Sequence, residues 1–273
     1  MTTRIRDLPP AVEESGRLAA SLAGRTPAVF LDYDGTLTPI VEDPRNATLP
    51  EDTRAAVRDL AAAVPVAIVS GRDLADVRSM VAVDGIGYAG SHGFDIVRPD
   101  GGRHELAPES LPALDRAQAD LEGTLAGVPG ATVERKRFAV AVHFRRARPE
   151  DLGAIERAVD RAAASASGAL RKTGGKKIFE LRPAVDWDKG RALLWLLASL
   201  GLDRADVVPV YVGDDVTDED AFAALAGRGI GIVVRGEDDE RATAARYALA
   251  SPAQVCALLR ALARRDDASL ARG

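Results

Sequence analysis

The chain has 273 residues, of which 47 % are hydrophobic and 28 % charged, and its formal net charge is −5. A chain of this length holds one large domain or two unequal ones. The acidic balance argues against nucleic acid as the main partner, and the single cysteine, Cys256, excludes an internal disulfide. No apolar run reaches the roughly 20 residues of a membrane-spanning helix, and the N-terminus lacks the apolar stretch of a secretion signal. We therefore expect a cytoplasmic protein without a membrane or nucleic-acid partner.

The first chemical signal is a pair of aspartates after a predicted strand. Residues 11–23 predict a short amphipathic helix, and the apolar run Ala28–Leu31 predicts a buried strand that ends at Asp32 and Asp34. Residues i and i+2 of an extended segment point to the same side, so both carboxylates are expected to face one site. Two carboxylates this close repel each other unless a cation lies between them. The pattern therefore predicts Mg²⁺ with a phosphate ester as its partner, whereas a solvated turn at Gly35 is the alternative.

A second strand end carries a hydroxyl and a glycine. The apolar run Val66–Val69 lies between predicted helices at 49–63 and 74–83 and ends in the run Ser70-Gly71-Arg72. A serine hydroxyl can donate to phosphate oxygens, and parallel strands bring their carboxyl ends to one edge of a sheet. The alternation of strands and helices predicts such a parallel sheet.

Between residues 101 and 183 the pattern changes to an α-β-β-α-β-β order. Helices are predicted near 111–125 and 151–164, and strands at 132–135, 138–145, 169–172 and 178–181. We interpret this segment as an inserted domain with hinges near Asp100-Gly101-Gly102 and Arg182-Pro183. A phosphate site recognises only the phosphoryl group, so selectivity for the leaving group has to come from another part of the chain. A closing cap would also exclude water.

The strand–helix alternation resumes after the insertion. Asp188-Lys189-Gly190 opens a helix rich in Leu and Ala, and Lys189 can neutralise phosphate oxygens. The apolar run Val207–Val212 then ends in the acidic run Gly213–Asp220, whose Asp214 can complete a metal site. A further strand at 229–234 and a helix at 252–263 follow.

These motifs, in this order, resemble those of the haloacid-dehalogenase superfamily, whose members are mostly phosphatases that act through an aspartyl-phosphate. More narrowly, they are similar to the trehalose-6-phosphate phosphatase family over residues 27–259. The similarity rests on Leu31–Ile40, Gly90–Gly93, Lys176–Pro183, Asp188–Gly190 and Gly213–Asp220. One departure is Asp95, because the family usually has Glu at this position. The resemblance implies a Rossmann-like α/β core, at 1–100 and 184–273, with an α+β cap at 101–183.

The resemblance also implies catalytic roles. Asp32 would attack phosphorus, and Asp34 would protonate the leaving sugar oxygen and then accept a proton from water. Ser70 and Lys189 would bind the phosphate oxygens, and Lys189 would also hold Asp32 in place.

The same resemblance implies a metal site. Mg²⁺ would be held by the Asp32 side chain, the backbone carbonyl of Asp34 and the Asp214 side chain. Asp215 and Asp218 would form an outer shell that orients the metal's waters and Lys189.

The substrate is expected to contact both domains. In the resembled family a Lys and a Glu at the spacing of Lys176 and Glu180 contact sugar hydroxyls, although a solvated basic hairpin is the simpler interpretation of this segment. His92 is a candidate to donate to the substrate. The remaining expected contacts come from Asp32 and Asp34, together with Tyr33, Gly71 and Arg72.

The implied activity is hydrolysis of trehalose 6-phosphate. A monomer is one possible form of the chain, and the sequence does not decide the oligomeric state. Another capped sugar-phosphatase, acting on sucrose phosphate or on glucosyl- or mannosyl-3-phosphoglycerate, would share the core motifs. A phosphomutase would share the nucleophile, and a non-catalytic sugar-phosphate sensor would be expected to have lost core acids.

Overall fold

The computed structural model describes residues 3–12, 15–41, 46–175, 177–236 and 240–264. The chain divides into two compact units. The core unit consists of residues 1–104 and 187–273, and the inserted unit consists of residues 105–186.

The strands are numbered in chain order: β1 Thr3–Arg4, β2 Thr26–Leu31, β3 Val66–Val69, β4 Gly87–Gly90, β5 Asp95–Val97, β6 Arg103–Glu105, β7 Thr132–Lys136, β8 Ala139–His143, β9 Leu170–Gly175, β10 Ile178–Pro183, β11 Val207–Gly213, β12 Ile230–Val234, β13 Ala242–Thr243 and β14 Tyr247–Leu249. The helices are α1 Ser15–Leu22, α2 Glu51–Ala63, α3 Leu74–Val81, α4 Leu111–Leu125, α5 Leu152–Ser165, α6 Lys189–Ser199, α7 Glu219–Ala224 and α8 Pro252–Arg264. None of these helices is long and apolar enough to cross a membrane.

The core unit is built on an eight-stranded sheet in the order β14-β12-β11-β2-β3-β4-β5-β6. Neighbouring strands from β14 to β4 run parallel, and β5 pairs with β4 in the antiparallel direction. Strand β2 is apolar at every position after Thr26 because helices cover both faces of the sheet. Val29 and Leu31 pack with α2, α3 and α8, whereas Ala28 and Phe30 pack with α6 and α7. The predicted α/β fold is thus confirmed.

Four strands of this sheet, β4, β5, β6 and β14, are absent from the sequence prediction, and β4 and β14 illustrate the physical reasons. Strand β4 reads Gly-Tyr-Ala-Gly, and glycine is depleted in strands because it offers no side chain to pack. Gly90 is required here by close approach: a Cβ at this position would lie 2.3 Å from the backbone nitrogen of Leu74. Strand β14 has only three residues, too few to show a period.

The inserted unit is an antiparallel sheet covered by two helices. Its strand order is β7-β8-β10-β9, and α4 and α5 pack on one face against Val140, Val142 and Leu181. Successive strand residues point to opposite faces, so Ala141 and its cross-strand partner Glu180 belong to the other face. We call it the open face because α4 and α5 do not pack on it, although both residues are buried.

Candidate active site

A buried lysine joins two aspartates at the carboxyl edge of the core sheet. Lys189 Nζ donates to Asp32 Oδ1 at 2.9 Å and to Asp218 Oδ1 at 2.7 Å. Lys189 is placed there because α6 begins at this residue, and the side chain of Asp188 caps the helix by accepting from the Arg191 N–H. All three charged side chains are at least 94 % buried. Charges at this depth require partners, and here each one has them.

Asp214 brings a third acid to this cluster. One carboxylate oxygen from each of Asp32, Asp214 and Asp218 lies within 4.8 Å of the others, a spacing that can hold a metal ion. The oxygens of Asp218 are already engaged. Oδ1 accepts from Lys189 and Tyr211, and Oδ2 accepts from the backbone N–H groups of Asp214 and Asp215. Asp32 and Asp214 are therefore the better metal ligands, and Asp218 organises them.

The charge balance of this cluster favours a bound cation. Burial, and then the charge of Asp218, raise the pKa of Asp32 to about 7 although Lys189 lowers it. Burial, followed by the charges of Asp32 and Asp218, raises the pKa of Asp214 to about 9. Burial lowers the pKa of Lys189, but the two aspartates outweigh burial and leave it above the ordinary value. Three acids against one lysine fit a divalent cation, for which carboxylate oxygens are preferred ligands.

Gly35 allows the turn that follows Asp34 to approach Asp214. Its φ is +80°, and a Cβ at this position would lie 2.1 Å from Asp214 Oδ2. Only glycine combines a left-handed backbone with such a close approach. The Gly35 N–H donates to the carbonyl of Thr38 at 2.8 Å, which closes the turn.

Asp34 is paired with an arginine from the second motif. Arg72 Nε donates to Asp34 Oδ2 at 2.7 Å and Arg72 Nη2 to Oδ1 at 2.5 Å, a bidentate ion pair. The guanidinium lies 5.3 Å from the centre of the Tyr33 ring. Sequence reasoning assigned Arg72 to the substrate and did not find this partner, because 38 residues separate the two side chains.

The side chain of Tyr33 lies in the core. It is fully buried, and its hydroxyl donates to the carbonyl of Ala47 at 3.1 Å. The predicted substrate contact at Tyr33 therefore stays a prediction for its backbone. Successive side chains of an extended segment point to opposite sides, so Tyr33 points away from its neighbours Asp32 and Asp34 and into the hydrophobic layer.

Ser70, Gly71 and His92 meet where β3 and β4 end. The His92 N–H donates to the carbonyl of Ser70 at 2.8 Å, and the Arg72 N–H donates to Ser70 Oγ at 3.2 Å. The imidazole of His92 occupies the space beside Gly71, where a Cβ would lie 2.7 Å from the ring. The structure thus brings these predicted residues together.

Asp95, the departure from the family pattern, is held inside the core unit. It is 1 % exposed and receives two hydrogen bonds from Arg103, Nε to Oδ1 at 2.9 Å and Nη2 to Oδ2 at 2.7 Å. The sequence analysis did not identify Arg103 as the partner of Asp95, because an arginine eight positions after an aspartate matches no helix or strand period.

The inserted unit carries a second charged cluster on its open face. Glu180 Oε1 accepts from Lys136 Nζ at 2.8 Å, and Oε2 accepts from Arg182 Nε at 2.5 Å. Glu180 is 5 % exposed. The predicted partner Lys176 lies outside the described residues. The sequence analysis did not identify Lys136 and Arg182 as partners of Glu180. The i, i+2 spacing of Glu180 and Arg182 does place these two residues on one face of a strand.

Comparison with known proteins identifies the family. The trehalose-phosphatase family matches residues 30–253, which is most of the chain. The chain belongs to the trehalose-phosphatase family. It is accordingly a phosphoric monoester hydrolase, as the resemblance implied.

Relatives agree with this assignment. A protein of Mycobacterium tuberculosis (strain H37Rv) named trehalose-phosphate phosphatase is 49 % identical over 265 residues, covering 96 % of this chain and 67 % of that protein. The structure of trehalose-6-phosphate phosphatase from Aspergillus fumigatus is similar with a TM-score of 0.67 at 28 % identity, covering 94 % of this chain and 99 % of that one. A haloacid dehalogenase-like hydrolase from Bacteroides thetaiotaomicron shares the fold, with a TM-score of 0.61 at 16 % identity and coverage of 88 % and 99 %.

Proposed function

We propose that this chain hydrolyses trehalose 6-phosphate to trehalose and phosphate, with Mg²⁺ as cofactor and an aspartyl-phosphate at Asp32 as intermediate. The observation that carries the chemistry is the cluster in which Lys189 joins Asp32 and Asp218 beside Asp214. Trehalose phosphate is the substrate named for the relative at 49 % identity, which supports the choice of sugar.

Asp32 is suited to the role of nucleophile. Lys189 binds its Oδ1, so Oδ2 is the oxygen that would form a bond to phosphorus as the bond from phosphorus to the sugar oxygen breaks. Ser70 and Lys189 would bind the phosphoryl oxygens. Mg²⁺ held by Asp32, the Asp34 carbonyl and Asp214 would offset repulsion between the carboxylate and the phosphate.

Asp34 would move the protons. It would protonate the sugar oxygen as that oxygen leaves, and later accept a proton from the water that attacks the aspartyl-phosphate. Such help contributes about 10²–10⁴-fold to the rate. In the structure both carboxylate oxygens of Asp34 are engaged by Arg72. We propose that Arg72 releases Asp34 by turning to the phosphate oxygens of the substrate.

The inserted unit would supply sugar specificity. Its open face holds Glu180 between Lys136 and Arg182, so the carboxylate is held in a fixed position from which it would accept from sugar hydroxyls. Fixed acceptors recognise hydroxyl groups well because an analogue that lacks the hydroxyl leaves them unpaired.

Phosphate release from four esters tests the proposal. The esters are trehalose 6-phosphate, glucose 6-phosphate, sucrose 6-phosphate and glucosyl-3-phosphoglycerate, each with Mg²⁺ and with EDTA. We expect turnover of trehalose 6-phosphate, lost with EDTA and reduced at least about 10³-fold in Asp32→Asn. Asp203→Asn, which removes a surface ion pair with Arg228, is the matched control and should keep full activity.

Each other outcome changes a different part of the proposal. Preference for another ester would keep the core chemistry and overturn the sugar. Full activity in Asp32→Asn would overturn the nucleophile. No release from any ester would overturn the phosphatase proposal and favour a mutase or a sensor.

A further inference from the structure

The backbone of Asp214 is held on both sides by charged side chains. Its N–H donates to Asp218 Oδ2 at 3.0 Å, and its carbonyl accepts from Arg241 Nη2 at 2.8 Å. An aspartate has a short side chain with two torsions, so the position of its backbone largely sets the position of its carboxylate. The Asp218 contact belongs to the site described above, whereas no role has yet been assigned to Arg241.

Arg241 is itself fixed by Glu219, the first residue of α7. Arg241 Nη1 donates to Glu219 Oε1 at 2.8 Å. Glu219 Oε2 accepts from the Ala244 N–H at 2.9 Å and from Thr243 Oγ1 at 3.2 Å. The side chains of Arg241 and Glu219 are only 17 % and 22 % exposed, so they form a partly buried ion pair in a defined geometry. The guanidinium therefore reaches the Asp214 carbonyl from a rigid support.

The segment that carries Arg241 is anchored to the N-terminal segment. Strand β13 pairs with β1, with Thr3 opposite Thr243 and Arg4 opposite Ala242. The Ile5 N–H donates to the Arg241 carbonyl at 3.1 Å, and Ile5 is 1 % exposed in the core. A continuous set of contacts thus connects the start of the chain to Asp214.

We infer that Arg241 is a positioning residue for the metal site, an inference that rests on the proposed function. Arg241 binds the Asp214 carbonyl and thereby fixes the distance between the Asp214 carboxylate and Gly35. This distance is very short because of the turn at Gly35. Its positive charge also offsets the acids grouped around it, Asp214 and Glu219 among them. Residues that orient metal ligands in this way typically change metal affinity about 10–100-fold when they are replaced.

The test compares Arg241→Met with a matched arginine. Arg204→Met is the control, since Arg204 pairs with Asp206 on the surface of the same unit, with both side chains more than half exposed. Mg²⁺ affinity is measured by calorimetry on the enzyme without substrate, and phosphate release is measured across a range of Mg²⁺ concentrations. We expect Arg241→Met to bind Mg²⁺ about tenfold more weakly and to recover most of its kcat at saturating Mg²⁺, while Arg204→Met matches the unmodified chain.

Arg241→Lys gives a second, milder readout. A lysine keeps the charge but lacks the planar fork that reaches both the Asp214 carbonyl and Glu219, so its Mg²⁺ affinity should lie between the other two. It also keeps the proposal testable where Arg241→Met does not fold.

Two results would count against the inference in different ways. Unchanged Mg²⁺ affinity in both Arg241 variants, together with a lower unfolding temperature, would show that Arg241 serves folding alone and overturn its positioning role. Absence of Mg²⁺ binding and of phosphate release in the unmodified chain would instead overturn the proposed function.

Discussion

The core unit and the inserted unit each contain a buried charged cluster, and the two have opposite balances. In the core, three carboxylates share one ammonium group, that of Lys189. In the inserted unit, the carboxylate of Glu180 is bound by two cations, Lys136 and Arg182. Buried charges require compensation, and among the described residues the carboxylate of Glu180 has more cationic side-chain partners than any carboxylate of the core cluster.

This difference indicates what each cluster is suited to bind. Burial, and after it the charges of neighbouring acids, raises the pKa values of Asp32 and Asp214, and a divalent cation would offset both effects. The inserted cluster has a fixed, neutralised carboxylate and a surplus of hydrogen-bond donors. It is suited to hydroxyl groups and to anionic oxygens, which need orientation more than charge neutralisation.

The two clusters should differ most in the stability that is lost when the lysine of each cluster is replaced. Lys189→Met leaves Asp32 and Asp218 buried without their cation, so the free energy of unfolding should fall by about 3–5 kcal/mol and phosphate release should be lost. Lys136→Met leaves Glu180 paired with Arg182, so the loss of stability should be about 1 kcal/mol. Denaturant unfolding of both variants measures the difference, and equal losses would refute the contrast between the clusters.

The next prediction concerns the close approach of Gly35 to Asp214. Gly35→Ala places a methyl group on the Asp214 carboxylate and should weaken Mg²⁺ binding up to about 100-fold, as for other disturbed metal ligands. Gly85→Ala is the matched control, because Gly85 has a similar φ of +77° but nothing within 4 Å of its Cβ position. Both variants bear the cost of a left-handed alanine, so only Gly35→Ala should lose metal affinity in calorimetry. Equal affinities would exclude a role for the close approach.

A smaller effect is expected in the inserted unit. Glu180→Gln keeps the size of the side chain but removes the charge that orients Lys136 and Arg182. We expect KM for trehalose 6-phosphate to rise about tenfold with little change in kcat, since binding and not chemistry is affected. Glu156→Gln, which alters an exposed pair with Lys172, serves as the control for the same substitution in this unit. A fall in kcat at constant KM would contradict the role in sugar binding.

A further effect is expected on the pH dependence of the metal-free chain. Because the folded-state pKa of Asp214 is about 9 and that of Asp32 about 7, against 3.8 for both in the unfolded chain, the folded state retains protons that the unfolded state releases. Stability should therefore fall as pH rises from about 4 towards 9. Unfolding in denaturant at several pH values measures this slope.

Mg²⁺ provides the control for the pH prediction. A bound cation favours the ionised carboxylates, so added Mg²⁺ should stabilise the chain most at high pH and flatten the slope. The same slope with and without Mg²⁺ would show that these acids do not hold the metal.

The sequence by itself determined the α/β core, the order of the motifs and the strand ends that carry Asp32, Ser70 and Asp214. These features are local, because apolar runs, turn glycines and i, i+2 spacing involve only residues that are close together in the sequence. Lys189 was also found, because a helix start can be read from its capping residue.

Only the tertiary structure decided most of the pairs of charged groups. The contact between Asp32 and Lys189, 157 positions apart, was expected from the family resemblance, but nothing in the sequence pairs Asp34 with Arg72 or Asp95 with Arg103. Such pairs are set by strand order, register and the packing of loops, which are cooperative properties of the whole core. The burial of Tyr33 follows from the same packing: a tyrosine between two site aspartates looks accessible in the sequence, yet the pleat of the strand turns it into the hydrophobic layer.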